Sequence, residues 1–369
     1  MIDKKHLLEL FQTLVSIDSP SYGERAVCDC INEYLVSLGL QPLEDDAAEK
    51  LGGNCGNLYC YVDGTPDLSP LLFSAHMDTV EPSSGKRMMT HEDGTVTSAG
   101  DTVLGADDCA GIAAILEALA VLLKGGPHRP LELVFSAAEE PYCAGIRQFD
   151  FSRLRSKEAY IFDLSGPVGG AAYQAPAILS FTAEFSGRSA HAGFAPEEGA
   201  HAILAAGRAL ASITCGRVGD ATVNIGTISG GTADNIVPDR CVLTGEIRSF
   251  SDGEALQLLE SVTDAMHWSA ESMNATVEVR STMNIPAYRT DLDLPVVRRF
   301  ETACRDLDIP VNLVQTFGGS DNNCFTRHGL SGIVVAAAMN NCHSCTEYTS
   351  ESELVRAAEL ALRLMLSEE

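Results

Sequence analysis

Three short apolar runs, "LLFSAHMD" from Leu71, "LELVFSAAEE" from Leu131 and "AYIFDL" from Ala159, each stop on acidic residues or a histidine. Runs of this length without polar alternation read as strands covered on both faces. Between the first two lies "DDCAGIAAILEALAVLLKGG", apolar nearly all round, which reads as a buried helix. Strand, helix, strand implies a mostly parallel sheet with helices over it, and ligands of such sheets gather beyond the carboxyl ends of the strands. The polar residues fall there. Side chains alternate along a strand, so His76 and Asp78 point the same way just where the apolar run stops.

The flanking sequence extends this pattern. "SYGERAVCDCINEYLVSLGL" has Ser21 and Glu24 at capping-box spacing and sets Val27, Cys30, Ile31, Tyr34, Leu35 and Leu38 on one helical face. After about Gln174 the texture changes. "AILSFTAEFSG" reads as a strand, "PEEGAHAILAAGRALASI" as a helix, and "ATVNIGTISGG" and "RCVLTGEIRSF" as two strands. "DGEALQLLESVTDAMHW" is a second helix and "ATVEVRSTM" a last strand, a β-α-β-β-α-β order. From about Pro286 the α/β pattern resumes, with "GIVVAAAMNNCHS" as a strand running to His343 and "SESELVRAAELALRLML" as a closing helix capped by Ser350 and Glu353. The expectation is an α/β protein with a mostly parallel-sheet domain over 1–173 and 287–369, on whose strand ends the polar residues lie. A ferredoxin-like α+β domain is inserted over 174–286.

Composition removes several function classes. Acidic residues outnumber basic ones 51 to 25, for a formal charge of -26, so nucleic acid and anionic lipid are repelled. The first apolar stretch is short and broken by Glu9, Gln12 and Thr13, and no uninterrupted span reaches membrane length. A cytoplasmic protein with neither membrane nor nucleic-acid partner is expected, its twelve cysteines reduced. Cys342 and Cys345 have Cys-x-x-Cys spacing but no second such pair to complete a four-thiolate site. They read as unconnected thiols flanking His343, and a redox role would require a reversible disulfide between them.

His76, Asp78, Asp107, Asp108, Glu139, Glu140, Asp163 and His343 are the candidate ligands, each at or past a predicted strand end. Imidazole and carboxylate without thiolate suit zinc, cobalt or manganese. The set is too large for one ion. A pair of ions needs a bridging carboxylate and a separate base, and Glu139 and Glu140 can divide into one base and one ligand. Singly, His-x-Asp, Glu-Glu and Asp-Asp before a helix are all common features; their joint placement at strand ends carries the inference.

These motifs, with "IDSPSYGE", "SAHMDTV", "GADDCAG", "SGRSAHAGFAPEEGAHAI", "GGTADNIVPD", "GEIRS", "FGGSDNN" and "NCHS", resemble the cocatalytic metallopeptidases that include peptidase T, carboxypeptidase G and the aminoacylases. The likeness runs along almost the whole chain, and its spacing is most like the peptidase T branch. It implies a zinc-exopeptidase fold and two zinc ions per subunit. His76, Asp107 and Asp163 would bind one ion and Asp107, Glu140 and His343 the other, with Asp107 as the bridge. Glu139 would be the general base toward a metal-bridging water, Asp78 would orient His76, and the peptide between Asp107 and Asp108 would be cis. His191 would stabilise the oxyanion. Arg248 and Asn235 would contact substrate, and Gly318 and Gly319 would let the backbone approach it. The inserted domain would act as lid and as the interface of a homodimer.

One position departs from the pattern. Cys109 stands where the family commonly has lysine, removing a positive charge beside the bridge and placing a thiol there that could be sensitive to oxidation. The resemblance implies a tripeptide aminopeptidase. An N-acyl amino acid deacylase or carboxypeptidase-like amidohydrolase is the alternative within enzymes, and a non-catalytic metal-dependent peptide-binding protein is the alternative of another class.

Overall fold

In a computed structural model the predicted buried runs pair side by side. The structure describes residues 1–65 and 67–367. It divides into two units, Met1–Gln174 with Arg289–Thr316 and Ser320–Glu369, and Ala175–Tyr288 with Phe317–Gly319.

In the first unit, Leu131–Ser136, Leu71–His76, Glu158–Ser165 and Ser331–Met339 lie side by side in that order and all parallel. Leu58–Val62 and Gly170–Ala175 flank them antiparallel, so the sheet is mixed but parallel at its centre. Every residue of Leu71–His76 and Leu131–Ser136 is buried, which accounts for runs that are apolar on both faces. Helix Ala106–Leu122 packs between this sheet and helices Lys4–Val15 and Glu351–Met365. Apart from Val121, every residue of that helix is buried. Each Leu or Ile so buried contributes about 1.5–3 kcal/mol, which is why a helix without an amphipathic face is stable here. Glu117, buried in its interior, is satisfied by the Asp3 N–H at 2.9 Å and the His6 ring.

The second unit has the predicted β-α-β-β-α-β order. Ala221–Gly230, Arg240–Ser249, Ala177–Ser186 and Thr276–Ile285 form an antiparallel sheet, extended at one edge by Gly216–Val218. Helices Ala202–Ser212 and Asp252–Ser272 bury small residues (Ala202, Ala205, Ala206, Ala209, Ala270), so they pack closely, and the Ser269 hydroxyl donates to the Ala205 carbonyl at 2.7 Å.

Two local expectations fail. Helix Arg25–Ser37 begins at Glu24 without a side-chain cap. Ser21 instead donates to Asp78 Oδ2 at 2.6 Å, and Glu24 receives the N–H groups of Tyr22 and Ala138, so both residues serve the site loop rather than the helix. The strand expected to reach His343 ends at Met339. Ala338, Asn341 and His343 then take positive φ, which ends the pleat and turns the chain. At the closing helix, Ser350 does accept the Glu353 N–H, as predicted.

Candidate metal centre

Each candidate ligand is aimed by a local irregularity. His76 is the last residue of its strand. Asp163 lies where Phe162 and Leu164 pair with the consecutive residues Val335 and Ala336, so it is the extra residue of a bulge, a device that re-aims a side chain. Asp107 and Asp108 sit in the first turn of helix Ala106–Leu122 but lack helical angles, and the peptide between them is cis, as the resemblance implies. Glu140 and His343 stand on loops. Among the described residues, six of the nine non-glycine positions with positive φ are Ala138, Tyr142, Cys143, Ala338, Asn341 and His343, all flanking these two loops. Unfavourable backbone persists where the surroundings fix it, commonly at functional sites.

The side chains converge in two overlapping groups, His76 with Asp107 and Asp163, and Asp107 with Glu140 and His343, the donor atoms of each within 4.8 Å of one another. His76 Nε2 lies 3.0 Å from Asp107 Oδ1 and 3.7 Å from Asp163 Oδ1. His343 Nε2 lies 3.1 Å from Glu140 Oε2 and 3.4 Å from Asp107 Oδ2. The two Asp107 oxygens thus face different histidines. Glu140 Oε1 is buried without a hydrogen-bond partner. No lysine or arginine is ion-paired to Asp107, Glu140 or Asp163 among the described residues. Two imidazoles, three carboxylates and an orphaned oxygen fit hard-to-borderline divalent cations.

Buried side chains hold the loop that carries Glu139 and Glu140. Consecutive N–H groups of 137–140 are each captured: Ala137 by Asn57 Oδ1 at 3.1 Å, Ala138 by Glu24 Oε1 at 2.9 Å, and Glu139 and Glu140 by the two Asp78 oxygens at 2.8 and 3.1 Å. Asp78 also touches His76, whose Nδ1 is 3.0 Å from its backbone carbonyl and 3.4 Å from its carboxylate. Asp78 therefore fixes the loop as well as the imidazole. Asn57 donates to the Gly145 carbonyl as well, and a Cβ on Gly145 would lie 1.8 Å from the Ala137 oxygen, so only glycine allows this closure.

On the opposite side, Glu347 receives the N–H groups of Gly105 at 2.7 Å and Asp107 at 2.8 Å and so clamps the kinked helix start. Asp108 turns inward and accepts from the N–H groups of His76 and Gly111 at 3.1 Å each, which makes it a support and not a donor to either group. Cys109 is 2% exposed and burial pushes its thiol up to about 11, so the exposure that oxidation requires is missing. Lys86, itself buried, is the positive charge near Cys109; it donates to Thr79 and packs against Gly105. Cys342 and Cys345 are free thiols.

Similarity to known proteins follows the same division. Residues 57–173 match peptidase family M28, and residues 175–272 match the peptidase dimerisation domain of the M20 type. The chain is 33% identical over 367 residues to the uncharacterized protein YqjE of Bacillus subtilis, covering 99% of each. It is 29% identical over 322 residues to a probable carboxypeptidase of Paracoccidioides brasiliensis, covering 80% of this chain and 71% of the relative. The aminopeptidase PepT of Bacillus cereus is 32% identical and superposes with a TM-score of 0.91 over 99% of this chain and 98% of its own. A tripeptidase of Staphylococcus aureus gives 31% and 0.94 at the same coverage. The chain belongs to the M20 metallopeptidases, the cocatalytic family of peptidase T.

In this M20 peptidase the electrostatics of the centre call for positive charge. Burial disfavours a charged His76, yet the Asp107, Asp78 and Asp163 carboxylates outweigh it and hold the imidazole well above its usual range. Asp107 and Glu140 lift His343 to about 10. Burial raises Asp163 and Glu139 well above the carboxylate range, and burial pushes Glu347 to about 7. A cation held by the second donor group would need the neutral imidazole of His343, so its binding would expel a proton that the group otherwise holds. The sign follows: metal affinity rises with pH and falls on acidification, by up to about tenfold per unit for each proton displaced. Calorimetry in buffers of different ionisation enthalpy is expected to detect this proton release. An affinity that is flat from about pH 6 to 9 would contradict it.

The remaining predicted residues of this M20 peptidase belong to the second unit. His191 is exposed, and its Nδ1 accepts the N–H groups of Gly193 and Phe194, which assigns the proton to Nε2. His191 pairs across a β-bridge with Ile236, next to Asn235. Arg248 donates from Nε to Glu246 at 2.6 Å, from Nη2 to Glu246 at 3.2 Å and from Nη1 to the Phe317 carbonyl at 2.6 Å. A Cβ on Gly319 would meet Ile285 at 2.7 Å, so packing within the unit already demands that glycine. Sequence reasoning gave Glu24 the role of a helix cap and missed Asn57 and Glu347, whose backbone partners at Ala137, Gly105 and Asp107 lie far along the chain.

Proposed function

We propose that the chain is a two-metal aminopeptidase acting on short peptides, most closely a tripeptidase. The observation that carries this is the pair of donor groups sharing Asp107, with Glu139 on the same anchored loop as Glu140. His76, Asp107 and Asp163 would hold one ion and Asp107, Glu140 and His343 the other, with zinc as the first candidate and cobalt or manganese as alternatives. Bound there, zinc supplies a Lewis acid and an acidified water.

The chain's own residues do the rest. Glu139 takes the proton of the attacking water and returns it to the leaving amine, and its buried setting favours holding that proton between the two steps. Asp78 keeps Glu139 and Glu140 in place through their N–H groups and steadies His76. His191, with Nε2–H free to donate, stabilises the developing oxyanion. Three of the five guanidinium N–H groups of Arg248 are engaged, so the remaining ones, with Asn235, receive the polar end of the peptide. Gly318 and Gly319 shape the backbone beside it.

The inserted domain, 174–286 in the sequence reading, serves as lid and homodimer interface. Its match to the dimerisation domain supports this, as do exposed Phe194, Leu204, Leu256 and Trp268. A cytoplasmic setting is consistent with the charge of -26, the free thiols and the absence of any described helix long and apolar enough to cross a membrane.

The carboxypeptidase relative keeps a second reading open, a deacylase or carboxypeptidase. Zinc-reconstituted chain, given a tripeptide with free ends, its N-acetyl form and its C-terminal amide, decides between them. The aminopeptidase reading expects the amino-terminal residue to be released from the free peptide and the amide, with the acetylated peptide left intact. Deacetylation would move the assignment to deacylase, release of the carboxy-terminal residue to carboxypeptidase, and inactivity throughout to a peptide-binding protein.

A further inference from the structure

Behind the proposed base lies a second kind of donor set. Glu139, Cys143 and Asp321 bring a carboxylate oxygen, a thiol sulfur and a second carboxylate oxygen within 4.8 Å of one another. All three are buried, at 9%, 0% and 2% exposure. Cys143 Sγ lies 3.3 Å from Glu139 Oε1, and the positive φ of Tyr142 and Cys143 turns the chain back to make that contact. Ser136 ties one Asp321 oxygen by its hydroxyl. The other oxygen, Oδ1, is buried and has no hydrogen-bond partner. A buried carboxylate oxygen without a donor costs free energy unless something positive comes to it.

We propose that Glu139, Cys143 and Asp321 form a further cation site, separate from the two groups that share Asp107, which takes a thiophilic divalent ion such as zinc or cadmium and thereby withdraws Glu139 from proton transfer. The sulfur donor sets the selectivity, since thiolate favours zinc and cadmium over magnesium or calcium. Binding exchanges protons for the cation. The Cys143 S–H bond and the Glu139 carboxyl O–H bond break, both protons leave to solvent, the sulfur and the freed carboxylate ligate the ion, and nothing is oxidised or reduced. Glu139, the most exposed of the three, is the side from which an ion enters. The cation site does not depend on the peptidase reading; only the inhibitory consequence rests on Glu139 being the base.

Cadmium alone is the probe, added to the full chain after chelator treatment and followed by the ultraviolet charge-transfer absorbance of cadmium thiolate. The difference between wild type and Cys143→Ser is expected to contain one cadmium equivalent. Asp321→Asn, which keeps both shape and thiol, is expected to weaken that equivalent by at least roughly tenfold and gives an independent answer if the serine variant does not fold. In peptide hydrolysis, excess zinc is expected to inhibit wild type and to spare Cys143→Ser. Identical cadmium spectra in wild type and a folded Cys143→Ser, or an unchanged affinity in Asp321→Asn, would overturn the site. A Cys143-dependent band in a chain that hydrolyses no peptide would establish the site and count against the peptidase reading alone.

Discussion

Asp107→Ala is expected to empty both positions of the proposed two-ion centre at once. The two donor groups have only this residue in common, and its oxygens lie toward different histidines, 3.0 Å from His76 Nε2 and 3.4 Å from His343 Nε2. Removing it leaves each position with one imidazole and one carboxylate, too few to hold a divalent ion against water. Removing Asp163 or Glu140 takes a donor from one group only, so those variants are expected to retain one ion. The backbone clamp by Glu347 uses the N–H of Asp107, which alanine keeps, so the kinked helix start survives. Turnover is expected to fall roughly a thousandfold or more, the scale of several kcal/mol of lost charge stabilisation. Metal analysis of the purified variant beside its kcat checks both parts. Retention of one tightly held ion would show that the donor groups act independently and that Asp107 is no bridge.

Glu139→Gln carries the second large effect. The substitution keeps the shape of the side chain and the N–H that Asp78 accepts, so the loop and Glu140 stay in place. What disappears is the carboxylate that the proposed mechanism uses to accept and return a proton. General acid–base contributions of this kind amount to roughly 10²–10⁴-fold, so kcat is expected to drop by that factor while KM and metal content hold near wild type. A variant that loses metal together with turnover would place Glu139 among the ligands. One that keeps most of its turnover would assign the proton to another group.

The parts of this molecule legible in its sequence are those where one local rule dominates. The apolar runs before His76, Glu139 and Asp163 are short enough to be strands buried on both faces, while the longer apolar run Ala106–Leu122 is a helix buried nearly all round. The inserted sheet and its two helices were legible from alternation and helical period. What stayed hidden depends on long-range pairing. Ser21 and Glu24 carry capping-box spacing, yet their oxygens serve Asp78, Tyr22 and Ala138. Local spacing cannot show that a distant loop offers better partners. Glu347 and Asn57 were invisible for the same reason. The strand before His343 ends earlier than its apolar run suggests, because Ala338 and Asn341 adopt positive φ without a glycine to signal it. At Arg248 the residue type fits carboxylate recognition, but only the fold shows Glu246 already in its fork.

The proposed paired cation centre is tested most directly by titrating zinc into chelator-treated chain while following zinc bound per chain and tripeptide hydrolysis together. No hydrolysis is expected without metal, and activity is expected to reach its maximum only as the second equivalent binds, in wild type and not in Asp107→Ala. Full activity in the chelated chain, or a maximum at one equivalent that Asp107→Ala shares, would contradict the paired centre.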